Sequence, residues 1–151
     1  MGDDLAASNV NRAYSLAATS IAIFTFMLIF LYPRFASGEI DPLLFQVTLI
    51  VMGVATFSFA FASFNYYGAS LGSRIDDAAR AVYSRRGDRL WLLGCILLFV
   101  DPSLILFSVR LLVVGSVWLA LWLVYVLFAL RHFPRVQTAR TSSSRDEARP
   151  R

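Results

Sequence analysis

The sequence predicts an all-α integral membrane protein: an antiparallel four-helix transmembrane bundle with a short interfacial amphipathic helix between spans 2 and 3. Of its 151 residues, 58% are hydrophobic and 16% are charged, and the mean hydropathy is +0.63. Soluble domains carry about a quarter charged residues. The charged residues also lie outside a few long apolar runs, which is the pattern that a bilayer imposes. We therefore expect one transmembrane domain over residues 1–133, followed by a tail over residues 134–151.

Four apolar segments have the length of a bilayer crossing, at about residues 12–32, 42–67, 89–107 and 112–130. Span 1 is expected to end before Pro33, because the residue before a proline disfavours the helical conformation. The alternative is a secretory signal peptide cleaved near residues 36–38. The apolar run is longer than a signal core and only Arg12 precedes it as a basic residue, so a retained span is favoured.

Small and polar side chains recur every three or four residues along span 1, which places them on one face of a helix. Small residues let transmembrane helices approach closely, so this face is predicted to pack on neighbouring helices, with phenylalanines toward lipid. The small face consists of Asn11, Ser15, Ala18, Ala22 and Thr25, and the phenylalanines are Phe24, Phe26 and Phe30.

Span 2 begins with a strong helix-start signal, Asp41 as N-cap and Pro42 at the first helical position. A stripe of small and polar residues then follows steps of three and four: Thr48, Val51, Ala55, Ser58, Ala62, Asn65, Ala69 and Gly72. Its central members, Ala55, Ser58, Ala62 and Asn65, are predicted to form a helix-packing stripe. A path for a solute is the alternative.

The long hydrophilic connection between spans 2 and 3 contains the predicted interfacial helix. Its apolar positions follow the period of a helix and charged residues occupy the rest of the wheel, so we expect it to lie on the membrane surface. The apolar positions are Ile75, Ala78, Ala79, Val82 and Tyr83.

Residues 90–130 are nearly continuous hydrocarbon and can hold two crossings. A turn at Ser108 to Leu111 gives two spans of 19 residues each, which matches the bilayer. The alternative turn, at Asp101-Pro102, leaves only about 12 apolar residues before it. Span 4 also carries an aromatic stripe that is expected to pack on the bundle or on lipid: Trp118, Trp122 and Tyr125.

The basic residues predict the orientation of the spans. All 14 are arginine, and twelve fall on one side: Arg12, the five between residues 74 and 89, and the six from Arg131 onward. Because cytoplasmic loops carry the excess of positive charge, we expect a multi-pass protein of the cell (plasma or inner) membrane with both termini cytoplasmic. The tail is polar without an apolar period and is predicted to be disordered.

Residue types that many enzymes use are scarce in this chain. There is no lysine for Schiff-base chemistry, and His132 and Cys95 are the only histidine and cysteine, so the chain alone cannot build a Ser-His-Asp triad within the bundle, a multi-histidine metal site or an internal disulfide. The acidic pairs lie in hydrophilic segments, and a metal held by carboxylates alone stays open. We expect no catalytic residue, no metal and no cofactor. The arginines follow membrane sidedness, so nucleic acid is not an expected partner.

Asp101 is the residue whose position most suggests function. A carboxyl group in the hydrocarbon region costs at least about 2.5 kcal/mol and usually faces the bundle interior, where it finds a partner. Counted from the outer ends of the spans, three hydroxyl groups lie within about 5 Å of the depth of Asp101. This candidate intramembrane polar layer comprises Asp101, Thr25, Thr48 and Ser116, with Arg110 as a charge partner that can reach toward Asp101.

Three functions are compatible with these patterns. We expect a non-enzymatic accessory or assembly subunit or a small homo-oligomer, whose partners are the lipid bilayer and copies of itself or other membrane subunits. The alternative is a small proton- or cation-linked transporter or channel that uses Asp101, and a membrane enzyme comes third. If Asp101 is only structural, it is a cap or kink residue beside Pro102, neutralised by Arg110 or protonated in place.

The arginine distribution makes a direct prediction about topology. A reporter that is active only in the cytoplasm should work when fused after residue 78 or residue 151 and should fail after residue 37, because twelve of the fourteen arginines lie on one side. A fusion after residue 110 should also fail, since that turn then lies outside. Cytoplasmic activity at residue 37 would contradict this orientation.

Overall fold

A computed structural model describes the backbone of residues 2–71 and 76–147 and the side chains of residues 7–71 and 76–131. Within these ranges the chain forms four α-helices and no strand: α1 (Gly2–Ala36), α2 (Pro42–Ser70), α3 (Asp77–Ser108) and α4 (Leu112–Glu147). Each contains a segment long and apolar enough to cross a membrane: Ala7–Ala36, Pro42–Ser70, Asp77–Ser108 and Leu112–Arg131. The prediction of an all-helical chain with four candidate spans is confirmed.

Helix α1 continues through Pro33, where the sequence predicts its end, to Ala36. A proline this close to a helix end removes one hydrogen-bond donor and leaves only about one turn beyond it. The helix ends where Gly38 adopts the left-handed conformation with φ 78° and the Glu39 amide donates to the carbonyl of Arg34 at 3.0 Å. Glycine is suited to this position because it has no Cβ to clash.

Helix α2 begins as its sequence predicts. The Leu44 amide donates a hydrogen bond of 2.9 Å to Oδ1 of Asp41, and Pro42 occupies the first turn. The Asp41 amide itself donates to the carbonyl of Ser108 at 3.2 Å. The turn between α1 and α2 is therefore tied to the far end of α3.

The predicted interfacial helix is not confirmed as a separate element. Its residues from 77 onward form the first turns of α3, which runs on into the apolar span without a break, and Ile75 lies outside the described residues. Glycine at position 87 is the only helix-weakening residue in these turns, and it is buried. At the start of α3, Nε of Arg80 donates to the carbonyl of Ala69 at 3.0 Å and so satisfies an acceptor at the end of α2.

Helix α3 passes through Asp101-Pro102 and ends at Ser108, so the chain turns at residues 109–111 and not at the proline. Arg110 takes the left-handed conformation with φ 64°, and the Leu111 amide donates to the carbonyl of Leu106 at 2.8 Å. Helix α4 extends past the predicted span to Glu147. Residues 134–147, for which the composition predicts disorder, continue this helix, because extending a helix costs much less than nucleating one.

Helices α2 and α3 pack through two complementary rows of residues. On α2 every seventh residue is large and buried: Phe45, Met52, Phe59 and Tyr66. On α3 every seventh residue is small or short and buried: Gly87, Gly94, Asp101 and Ser108. A repeat of seven is the period of helix pairs that supercoil around each other with interlocking side chains. We call these the large row of α2 and the small row of α3.

Two glycines of the small row are required by close contact. A Cβ atom placed on Gly94 would lie 2.8 Å from the ring of Phe59, and one placed on Gly87 would lie 2.8 Å from the ring of Tyr66. Phe59 is completely buried, so its ring has no free space into which it can retreat. Each aromatic ring therefore rests directly on the backbone of α3.

Helix α1 packs on α2 through a different face from the predicted one. Ala13 contacts Ala62 and Tyr66, and Ala17 contacts Phe59 and Cys95. The buried residues of α1 are Ala13, Ala17, Ser20 and Met27, whereas the predicted face, Asn11, Ser15, Ala18, Ala22 and Thr25, is exposed. Small residues occupy two faces of this helix, and residue size alone does not distinguish them.

The packing at Gly94 makes a prediction about stability. Gly94→Ala should lower the free energy of unfolding by about 1–3 kcal/mol, because the added methyl group overlaps the buried ring of Phe59. The matched control is Gly68→Ala in α2, where the nearest atom to the added Cβ is in the Tyr83 ring at 3.4 Å, an ordinary contact, and a gain of up to about 1 kcal/mol from helix propensity is expected. Thermal melting in mild detergent measures both, and equal melting temperatures would contradict the packing.

Candidate functional site

Asp101 is the third member of the small row of α3 and is 1% exposed. It lies midway between Gly94, which packs on Phe59, and Ser108, whose carbonyl binds the Asp41 amide. The corresponding level on α2 lies about halfway between Phe59 and Asp41, near residue 50. The carboxyl group is therefore enclosed at the interface of α2 and α3, between the levels of two buried α2 residues, Thr48 and Met52.

Neither carboxylate oxygen of Asp101 has a hydrogen-bond partner among the described residues. Arg110, the partner that the sequence suggests, is exposed and lies at the left-handed position of the turn after α3. The structure therefore does not place the Arg110 guanidinium on Asp101. A buried carboxylate without a donor or a cation costs several kcal/mol, which makes this position chemically unusual.

The structure divides the predicted polar layer into two groups. Asp101 and Thr48 are buried, whereas Thr25, Ser116 and Arg110 are exposed. Each of the three hydroxyl groups donates to the carbonyl four residues earlier in its own helix, at 2.7 to 2.9 Å. These bonds satisfy the hydroxyl groups locally. The five residues do not converge on one interior site.

The predicted packing stripe of α2 is buried in its central part. Ala55, Ser58 and Ala62 are at most 5% exposed, and Asn65 is half-buried. Oγ of Ser58 donates to the carbonyl of Val54 at 2.8 Å, and Nδ2 of Asn65 donates to the carbonyl of Phe61 at 2.7 Å. Both polar side chains thus bind their own helix.

The aromatic stripe of α4 lies on α3. Nε1 of Trp122 donates to the carbonyl of Ile96 at 2.8 Å, Nε1 of Trp118 donates to the carbonyl of Phe99 at 3.3 Å, and the ring centroids of Tyr125 and Phe99 are 4.9 Å apart. A carbonyl oxygen has two lone pairs, so it can accept an indole N–H in addition to its helical hydrogen bond. These contacts attach α4 to α3.

Sequence reasoning missed a polar pair at the other end of the helices. The hydroxyl of Tyr66 donates to Oδ1 of Asp88 at 2.8 Å. Tyr66 lies near the end of α2, and Asp88 lies inside α3. The seven-residue spacing of Phe45, Met52, Phe59 and Tyr66 is the signal that could have placed the Tyr66 ring on α3.

Among the described residues, no three histidine, cysteine, aspartate or glutamate side chains are grouped so that they could hold a metal ion. No family model, curated protein or solved structure matches this chain.

Proposed function

We propose that this chain is a non-enzymatic multi-pass protein of the cell (plasma or inner) membrane that works by assembling with copies of itself. Its four helices form an antiparallel bundle with both termini and the α2–α3 connection in the cytoplasm. The order of contacts supports the antiparallel arrangement. Ala13 clusters with Tyr66, and Ala17, which comes later in α1, clusters with Phe59, which comes earlier in α2. In the same way Tyr66 packs on Gly87, and Phe59 packs on Gly94, which comes later in α3. The arginine distribution supports the orientation.

The observation that carries the proposal is an open groove of about 410 Å³ between α1 and α2. Small residues line much of it: Ala17, Ala18, Gly53, Thr56 and Ala60. The buried stripe of α2 is already covered inside the chain, but this groove is not. In lipid, small residues promote association because they let another helix approach closely. The groove is thus the part of the surface most suited to a transmembrane helix from another molecule.

Helix α4 of a second copy is the occupant that we propose. Of the four candidate spans, α4 is the least covered by the rest of the chain, and α3 is its main neighbour. Its exposed ridge follows steps of four and three and is more than half exposed at every position: Val113, Val117, Leu121 and Val124. Branched side chains of this kind fit a groove lined by alanine and glycine.

The ridge and the groove lie at the same depth. Trp122 binds α3 at Ile96, next to the level at which Gly94 packs on Phe59. Leu121 is therefore level with Ala18 and Ala60 in the groove, within about one helical turn. A rotation axis normal to the membrane preserves depth, so copies related by such an axis bring ridge and groove together. Because the ridge and the groove are different surfaces, repeating this contact around the axis closes the copies into a ring.

Disulfide cross-linking tests this assembly. In a Cys95→Ala background, Ala18→Cys combined with Leu121→Cys should form intermolecular cross-links in native membranes under mild oxidation, because the two positions meet in neighbouring copies. Each substitution alone should give little cross-linking, since the proposed contact joins unlike surfaces. Non-reducing electrophoresis measures the dimers and larger species.

The matched control combines Ala18→Cys with Leu123→Cys. Leu123 is 49% exposed at nearly the same depth as Leu121 but lies on another side of α4. Little cross-linking is expected for this pair. Equal cross-linking through Leu121 and Leu123 would show random collision and would overturn the proposed contact, as would the absence of cross-links from the Leu121 pair.

Proton- or cation-linked transport through Asp101 is the second candidate function. It is favoured by one observation, the burial of both carboxylate oxygens without a hydrogen-bond donor among the described residues. A transported proton or cation would supply the missing partner. Four helices rarely enclose a pore, so this function also requires an oligomer.

Variants of Asp101 separate transport from a structural role. If Asp101 binds a transported ion, Asp101→Asn should abolish proton or cation flux in proteoliposomes while the protein stays folded. If Asp101 only fills the small row, Asp101→Ala should raise the free energy of unfolding by about 1–3 kcal/mol, because two unsatisfied acceptors are removed and the row keeps a small residue. Arg110→Gln serves as the control and should add independently to Asp101→Asn, since Arg110 is exposed. Flux that persists in Asp101→Asn would remove the transport candidate, and non-additive stability would reveal an ion pair.

A further inference from the structure

Five side chains from three helices line a second cavity of about 210 Å³ at the end of the bundle opposite the α1–α2 turn. They are Asn9 and Arg12 from α1, Tyr66 from α2, and Asp88 and Trp91 from α3. One water molecule needs roughly 10–15 Å³ of such space, so the cavity holds a group of several heavy atoms. An arginine and an aspartate thus line the same small volume.

The walls of this cavity are positioned by the packing of the bundle. The ring of Tyr66 rests on the backbone of Gly87, which brings its hydroxyl to Oδ1 of Asp88 at 2.8 Å. Below the polar groups, Ala13 and Ala62 form a buried apolar cluster with Tyr66, and Trp91 packs against it. The Asp88 carboxylate is oriented by Tyr66 and still has lone pairs for a second donor.

The cavity falls at the depth of lipid head groups when Pro42 is placed at the opposite edge of the hydrocarbon core. Tyr66 comes 24 residues after Pro42, which corresponds to roughly 36 Å along α2. The hydrocarbon core is about 30 Å thick, and the whole bilayer with its head groups about 40–45 Å. Amphipathic aromatic side chains such as those of Trp91 and Tyr66 are also enriched at this boundary.

We propose that this cavity binds the head group of a zwitterionic phospholipid, a phosphodiester joined to a primary ammonium group. The ammonium donates to the Asp88 carboxylate, and the Arg12 guanidinium binds the phosphate. A primary ammonium is required because a trimethylated one has no N–H to donate. An anionic glycerol head group has no cation for Asp88. The site is independent of the contact between copies proposed above.

Lipid-dependent melting of the delipidated full-length protein tests this site. Adding phosphatidylethanolamine in mild detergent should raise the melting temperature by roughly 5–10 °C at saturation, whereas phosphatidylcholine and phosphatidylglycerol should raise it much less. Arg12→Gln and Asp88→Asn should each abolish the ethanolamine-specific shift. Asp88→Asn keeps an acceptor for the Tyr66 hydroxyl, and the lipid-dependent shift is read against each variant's own melting temperature without lipid.

Arg89→Gln is the matched control, because Arg89 is exposed, adjacent to Asp88 and does not line the cavity. It should keep the full ethanolamine-specific shift. Equal shifts with all three lipids, or a specific shift that survives in both cavity variants, would overturn the proposal. Soluble glycerophosphoethanolamine supplies the same phosphodiester and ammonium charges without acyl chains, and a full shift from it alone would identify a soluble phosphodiester as the ligand and would overturn the lipid assignment.

Discussion

The close approach of α2 and α3 at Phe59 and Gly94 is the contact on which the arrangement of the helices depends. Within a bilayer the hydrophobic effect does not drive one helix onto another, because lipid tails are as apolar as leucine. Association therefore comes from the quality of van der Waals contact. A ring that rests directly on a glycine backbone makes many such contacts at once, and the seven-residue spacing repeats this geometry along the helix pair.

The same interlocking places polar groups where a membrane protein seldom has them. Asp101 occupies a position of the small row that could be filled by glycine, alanine or serine, and its carboxyl group is enclosed without a donor among the described residues. Asp88 lies outside that row, next to Gly87, and reaches the hydroxyl of Tyr66. One carboxylate is thus isolated deep in the bundle, and the other is paired at its margin. The chemistry open to each follows from this difference in partners.

Hydropathy and cap signals predict the coarse fold well because they depend on local physics. The lengths of the apolar runs, Asp41 as N-cap and the turn after Ser108 all follow from the sequence near them. The packing face of α1 could not be chosen in this way, since alanine and serine occur on both sides of that helix. The exposure of Thr25, Ser116 and Arg110 likewise depends on how each helix is oriented about its own axis. The depth of a residue along its helix carries no information about that orientation.

The order in which the helices pack has a consequence for biosynthesis. Helices α1, α2 and α3 share the buried clusters around Ala13 and Phe59, whereas α4 is attached chiefly to α3, by two indole hydrogen bonds and aromatic contact. A ribosome delivers α4 after α1, α2 and α3. These three can close their common core while α4 is still being translated. Helix α4 then docks on a surface that has already formed, so its arrival need not disturb the core of α1, α2 and α3.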